Sequence, residues 1–211
     1  MELVEELKKP AKLIIGVLTG NGRREYRMLR AITKKYDGSE KLLYFPRRPG
    51  YLPGAKLSVL QVVKVYVSKY KINNFLCIID KEHFTGTDIE KEVKEKIREF
   101  GIEVTQIQMF DANTENAIYL NGTVGPHNFI LWMVIAGKEK CIEEDLAKLI
   151  EIKFGDKIEP TKSNIIKALR RYNVDTEKLM ASASIEQLRQ SFPALDFVLS
   201  RLEPNTTIEK N

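Results

Sequence analysis

Apolar runs and amphipathic segments alternate along this chain. Lys12 to Leu18 reads as a strand buried on both faces, its residues "LIIGVL" continuously apolar. From Arg23 to Lys35, Tyr26, Leu29, Ile32 and Thr33 share one side, which predicts a helix. A short strand is expected over Lys41 to Phe45. The "PRRPGYLPG" that follows cannot be regular. Beyond Ser58, an expected cap, Val59, Val62, Val63, Tyr66, Val67 and Tyr70 recur at helical spacing despite their β-branched content. Asn73-Asn74 breaks that helix, and Phe75 to Ile79 is the next strand. "TDIE", Thr87 to Glu90, has the form of a capping box. It opens a helix carrying Ile89, Val93, Ile97 and Phe100, which Gly101 ends. Ile102 to Met109 reads as a strand.

Residues 12–109 therefore read β-α-β-α-β-α-β. Strands and helices alternating at these lengths predict parallel pairing in an α/β sandwich. "NAIYL" and "NFILWMVIA" read as further strands. The turn "NGTVGPHN" between them suggests a hairpin or an extension of the sheet. From about Lys138 the texture changes to helix, over 139–154, 162–172, 175–182 and 184–202. Thr161 and Ser184 are expected caps, with a break at Pro193. The expected organisation is an α/β domain over 1–137 and a C-terminal helical region over 138–211, ending in a frayed tail, "EPNTTIEKN".

With 211 residues, 43% of them hydrophobic and 30% charged, the chain can bury a sizeable core. No run approaches the roughly 18–20 apolar residues that span a bilayer, so no membrane partner is expected. Its two cysteines, Cys77 and Cys141, are far apart and lack metal-binding spacing. That usage suits a reducing cytoplasm, where the sequons at Asn121 and Asn205 carry no meaning. The net charge of +5 is compatible with nucleic acid but weaker than that of most dedicated DNA-binding domains. Abundant Lys, Glu and Ile with scarce Gln resembles a thermophile's composition.

In "FLCIIDKEHF" an apolar strand runs directly into acids. Ligands of a parallel α/β sheet collect at the carboxyl ends of its strands. Asp80 and Glu82 lie just past the third strand of the repeat, and Glu25 lies past the first. If those strands are neighbours, three carboxylates face one crevice, a set that suits Mg²⁺ or Mn²⁺. Each acid also has a plain structural reading. The pair could be a solvated strand end, and Glu25 could favour a helix N-terminus through the macrodipole. His83 reads first as a hydrogen-bonded loop residue, and His127 as part of a turn.

Two further features bear on phosphate. Gly20-Asn21-Gly22, between strand and helix, could turn backbone N–H groups toward an anion. The stretch lacks the third glycine of a dinucleotide fingerprint and the Lys-Ser/Thr of a P-loop, so a tight turn is the simpler reading. Arg23, Arg24, Arg27, Arg30, Lys34 and Lys35 cluster on the first helix, and Arg47 and Arg48 follow in the Pro/Gly-rich loop. Arg23, Arg27, Arg30 and Lys34 share a face by spacing, either as a nucleic-acid contact or as a solvated surface. Tyr44, Phe45 and Tyr51 could stack on bases or belong to the core.

The element order, a glutamate after the first strand and an acidic pair after the third together resemble a Toprim domain, over roughly residues 12–109. That is the metal-binding fold of topoisomerases, primases and certain nucleases. The resemblance implies a parallel sheet flanked by helices. Asp80 and Glu82 would be metal ligands, and Glu25 the acid–base group. Thr19 stands where the family glutamate usually sits, and the pair is Asp-x-Glu rather than Asp-x-Asp. The helical C-terminal part is similar in layout to small prokaryotic Toprim-like proteins of unassigned function. The expected function is metal-dependent nucleic-acid processing, as a nuclease. One alternative is a catalytically inactive module that binds nucleic acid or a protein partner through the basic face. The other is a phosphate or nucleotide binder using the glycine loop.

Overall fold

The computed structural model describes residues 1–8, 10–20, 23–36, 40–45, 56–110 and 116–202, with the side chain of Arg23 excepted. Asn21, Gly22, Arg47, Arg48, Tyr51 and the expected tail lie outside the described residues. Seven strands form one sheet: β1 Glu2–Val4, β2 Leu13–Thr19, β3 Lys41–Tyr44, β4 Asn74–Asp80, β5 Glu103–Phe110, β6 Ala117–Val124 and β7 His127–Ala136. Among the described residues eight α-helices accompany them. These are α1 Arg23–Ile32, α2 Gln61–Tyr70, α3 Ile89–Glu99, α4 Ile142–Phe154, α5 Lys162–Arg171, α6 Thr176–Ser182, α7 Ile185–Ser191 and α8 Pro193–Arg201. The fold is α/β, as the alternation implied. No described helix is long and apolar enough to cross a membrane.

The strand order is β1-β3-β2-β4-β7-β6-β5. Pairing is parallel from β1 through β7, and antiparallel from β7 to β6 and from β6 to β5. The alternation implies parallel pairing for the strand at 102–109. It is instead the far edge of the sheet, paired antiparallel with β6. The place beside β4 belongs to β7, whose residues Phe129 and Leu131 to Ala136 are all buried. A central strand needs apolar side chains on both faces, and β7 has them where β5 does not. The β6–β7 hairpin forms as the turn residues suggested, with Val124 opposite His127 and Gly125 at φ +57°.

Two caps also differ. The N-cap of α3 is Asp88, whose carboxylate accepts from Lys91 N, rather than Thr87. Ser58 lies inside a 3₁₀ turn, Lys56–Leu60, and caps nothing at the start of α2. The caps at Thr161 and Ser184 form, Ser184 as a full capping box with Gln187.

The sheet separates two apolar layers. On one side α2 and α3 pack through Val63, Val67, Val93 and Ile97. On the other, α1 shares a single cluster with all five C-terminal helices, through residues such as Leu29, Ile150, Leu169, Met180 and Phe197. The boundary expected at 137/138 coincides with the end of β7, but the helices beyond it cover one face of the sheet. A buried hydrogen bond, Tyr36 Oη to Asp196 Oδ1 at 2.8 Å, ties the segment after α1 to α8. Burial and this bond push the Tyr36 hydroxyl well above its ordinary value. Tyr36→Phe is expected to cost about 2 kcal/mol, because a buried carboxylate loses a donor. Urea unfolding would measure the cost.

Candidate metal centre at the switch point of the sheet

The chain leaves β2 over one face of the sheet, through α1, to reach β3. It returns over the other face, through α2, to reach β4. Since β3 and β4 flank β2, the winding reverses between β2 and β4. Such a reversal opens a crevice beyond the carboxyl ends of the two strands. Glu25 enters this crevice from the first turn of α1, and Asp80 from the last residue of β4.

Asp80 is 4% exposed and Glu25 2% exposed. The two carboxyls are close enough to repel one another. Burial, and then the neighbouring Asp80 charge, raise Glu25 above its ordinary value. Burial raises Asp80 as well, with Glu143 and Glu82 adding to the effect, while the Ile142 amide and His83 oppose it. Among the described residues Glu25 Oε2 has no hydrogen-bond partner, although it is buried. A buried carboxylate oxygen left unpaired costs about 1–3 kcal/mol or more.

Beyond Asp80 the chain makes a 3₁₀ turn, Lys81–His83. This turn brings ligand atoms of Asp80, Glu82 and His83 within 4.8 Å of one another. His83 also lies against the end of β2, where a Cβ added to Gly20 would stand 3.3 Å from its Nδ1. That nitrogen is buried and, among the described residues, has no hydrogen-bond partner. The turn is held from behind. Glu82 N donates to Lys140 O at 2.7 Å, and Lys81 Nζ donates to Lys138 O at 2.8 Å. Asp80 Oδ1 accepts from Ile142 N at 3.0 Å, so one oxygen of the central acid steadies the first turn of α4.

The structure thus brings Glu25, Asp80 and Glu82 to one crevice. Sequence reasoning set His83 aside as a loop residue; its position directly after Glu82 was the available signal. Glu143 was missed, because its approach depends on how α4 docks. Burial would raise Glu143, but hydrogen bonds from Arg24 and Cys141 hold it below its ordinary value. Cys141 itself is pushed up to about 12 by burial and by Glu143. It stays a thiol at neutral pH, so the crevice offers no thiolate nucleophile.

The basic residues divide. Arg24 pairs with Glu143, and Arg30 makes a two-pronged contact with Glu177 of α6. Arg27 and Lys34 are exposed. The Gly20 amide donates to Ile78 O at 3.0 Å, so it belongs to the sheet and is not presented to a phosphate.

No family model, curated protein or solved structure matches this chain. The donor set fits a divalent cation. Two carboxylates and an imidazole converge, and a third, buried carboxylate with an unpaired oxygen stands beside them. A cation would offset the burial that raises Glu25 and Asp80, and the carboxylate repulsion that adds to it. Oxygen ligands alone favour Mg²⁺, and an added imidazole nitrogen moves the preference toward Mn²⁺.

Proposed function

We propose that the protein is a metal-dependent nucleic-acid-processing enzyme, a nuclease. Asp80, Glu82 and His83 hold Mg²⁺ or Mn²⁺, and Glu25 is the acid–base group. The reading is carried by the buried, unpaired oxygen of Glu25 beside Asp80, next to the converging ligand atoms. The Toprim-like order of the repeat and of its acids supports it further. When bound, the ion supplies Lewis-acid polarisation of a phosphodiester. Glu25, shielded from water and raised above its ordinary value, moves a proton at the attacking or leaving oxygen. Asp80 and Glu82 fix the position of the ion. Gly20 keeps its neighbour His83 free of steric pressure.

The test uses purified protein with single- and double-stranded DNA and RNA, in Mg²⁺ or Mn²⁺, with a chelator control. Cleavage that chelation abolishes is the expected result. No cleavage of any of these substrates would remove the nuclease.

A second reading, a non-catalytic nucleic-acid-binding module, draws on Thr19 in place of the family glutamate and on the exposed Arg27 and Lys34. If Arg27 contacts a duplex phosphate, Arg27→Ala should lower the slope of log affinity against log salt by about 0.9. Arg30→Ala should change the slope less, since Glu177 already occupies that guanidinium. A salt titration of binding separates the two variants. Equal slopes in Arg27→Ala and the parent would take α1 out of the binding surface.

A further inference from the structure

Beside the acidic crevice lies a second cavity that the proposed chemistry does not use. It is a cleft of about 610 Å³ between the carboxyl ends of β4 and β7, the start of α4 and the α7–α8 junction. Its size falls within the roughly 300–1,000 Å³ of small-molecule sites. Two residues of the cleft lining adjoin the acids of the crevice. Lys81 sits between Asp80 and Glu82 in sequence, and Ile142 donates its amide to Asp80.

The lining has four chemical parts, one of them the carboxylates Glu139 and Glu144. Ile78, Val134, Phe192 and Leu195 provide apolar walls. Asn116, Asp145 and Gln190 provide groups that can both donate and accept hydrogen bonds. Burial pushes Asp145 up to about 8, with Glu144 and Asp80 adding to the effect. At neutral pH it is largely a neutral acid, with an O–H to give, while its Oδ2 accepts from Gly137 N at 3.0 Å. Lys81, Lys138 and Lys148 supply cations on the same lining; Lys81 Nζ donates to Lys138 O and Lys148 pairs with Glu151, while the Glu144 carboxylate accepts from the amides of Lys138, Glu139 and Lys140.

We propose that this cleft binds one nucleotide unit, with its heterocycle between the apolar walls and its phosphate toward the lysines and the neighbouring crevice. A heterocycle has two apolar faces and an edge of alternating donors and acceptors. Walls combined with two amides and a neutral carboxyl match that outline better than they match a simple cation or an aliphatic chain. The three lysines outnumber Glu139 and Glu144, and the amides of residues 138–140 already occupy Glu144, so the balance at the mouth favours an anionic group. The inference rests on reading the crevice as a phosphate-directed metal centre. It names the part of the substrate that is held beside that centre.

The test is calorimetric titration with chelator present, so that binding is read without the ion. The probes are AMP, CMP, adenosine, inorganic phosphate and a short single-stranded oligonucleotide. A mononucleotide is expected to bind more tightly than either its nucleoside or inorganic phosphate. Gln190→Ala, an exposed position that should not disturb folding, should weaken nucleotide and nucleoside alike by about 5–10-fold through one lost hydrogen bond. Lys148→Ala should weaken the nucleotide and leave the nucleoside unchanged. Competition between mononucleotide and oligonucleotide would assign the site to a strand end. Nucleotide binding without competition would assign it to a free nucleotide. If no mononucleotide binds at millimolar concentration, or if neither variant alters binding, the cleft is not a nucleotide site. Metal-dependent cleavage that persists after that result would leave the nuclease standing. Nucleotide binding without any cleavage would remove the nuclease and keep the cleft.

Discussion

Asp80→Asn is expected to abolish metal-dependent cleavage together with metal binding, whereas Glu25→Gln should separate the two. Asparagine keeps an oxygen acceptor for the Ile142 amide, so the start of α4 should hold and the fold should survive. What disappears is a negative ligand at the centre of the cluster. Loss of an outer-shell partner typically costs about 10–100-fold in metal affinity, and loss of a direct ligand should cost at least that much. Glutamine at position 25 keeps the size of the side chain but cannot exchange a proton. Acid–base groups contribute about 10²–10⁴-fold, so cleavage should fall by that factor while Mn²⁺ affinity changes far less. Calorimetry with Mn²⁺ and initial cleavage rates are the two readouts. Full activity in Asp80→Asn would move the chemistry elsewhere. Equal loss of ion and activity in Glu25→Gln would make Glu25 a ligand instead of an acid–base group.

The second large effect concerns pH. Asp145, partly exposed on the cleft wall, is held up to about 8 in the fold, mainly by desolvation, against roughly 3.9 in an unfolded chain. The folded state therefore keeps a proton that the unfolded state has released. Stability contributed by this group is complete below about pH 4, declines between about pH 4 and 8, and levels off above that. Burial also raises Glu25 and Asp80, so they act in the same direction. The charged groups around Asp145 are Glu144 and Asp80 on the acidic side, and Lys81, Lys138 and Lys148 on the cleft lining. Asp145→Asn should keep the contact with Gly137 N and remove the titration. The expected gain at pH 8 is of order 3 kcal/mol, vanishing near pH 4. Urea unfolding across that range measures it. A constant difference at every pH would mean that Asp145 is already charged in the fold. Added Mn²⁺ should reverse the trend at the crevice, because an ion favours the charged form of Asp80, and its stabilising effect should grow as pH rises.

Much of this arrangement can be read from local pattern. The continuous apolar runs of β2 and β4 announce strands buried on both faces, and the acids after them are placed by the carboxyl-end rule alone. The position of β5 was also legible in principle. "EVTQIQMF" alternates, as a half-exposed edge strand must, while "NFILWMVIA" does not. Chain order alone implies parallel pairing for the strand at 102–109, and its alternation points instead to an edge. β1, three residues long, has too little sequence to carry a signal. The remaining gaps are tertiary. Arg30 looks like part of a free basic stripe until α6 presents Glu177. Glu143 looks like an acid complementing a helix dipole until α4 docks beside Arg24. The raised Asp145 depends on a cleft assembled from α4, the α7–α8 junction and the ends of β4 and β7.

The place of β7 also governs how the chain can be made. On the ribosome, synthesis proceeds N-terminal first at about 5–20 residues per second. β4 is complete at residue 80, yet its second neighbour in the sheet ends at residue 136, and the helices that cover one face continue to residue 201. Until then the nascent chain carries an unpaired central strand and a bare apolar face around Trp132. Those are the features on which chaperones and neighbouring chains act. Folding must therefore wait for nearly the whole described chain, and a ribosome stalled near residue 137 would display an unfinished sheet.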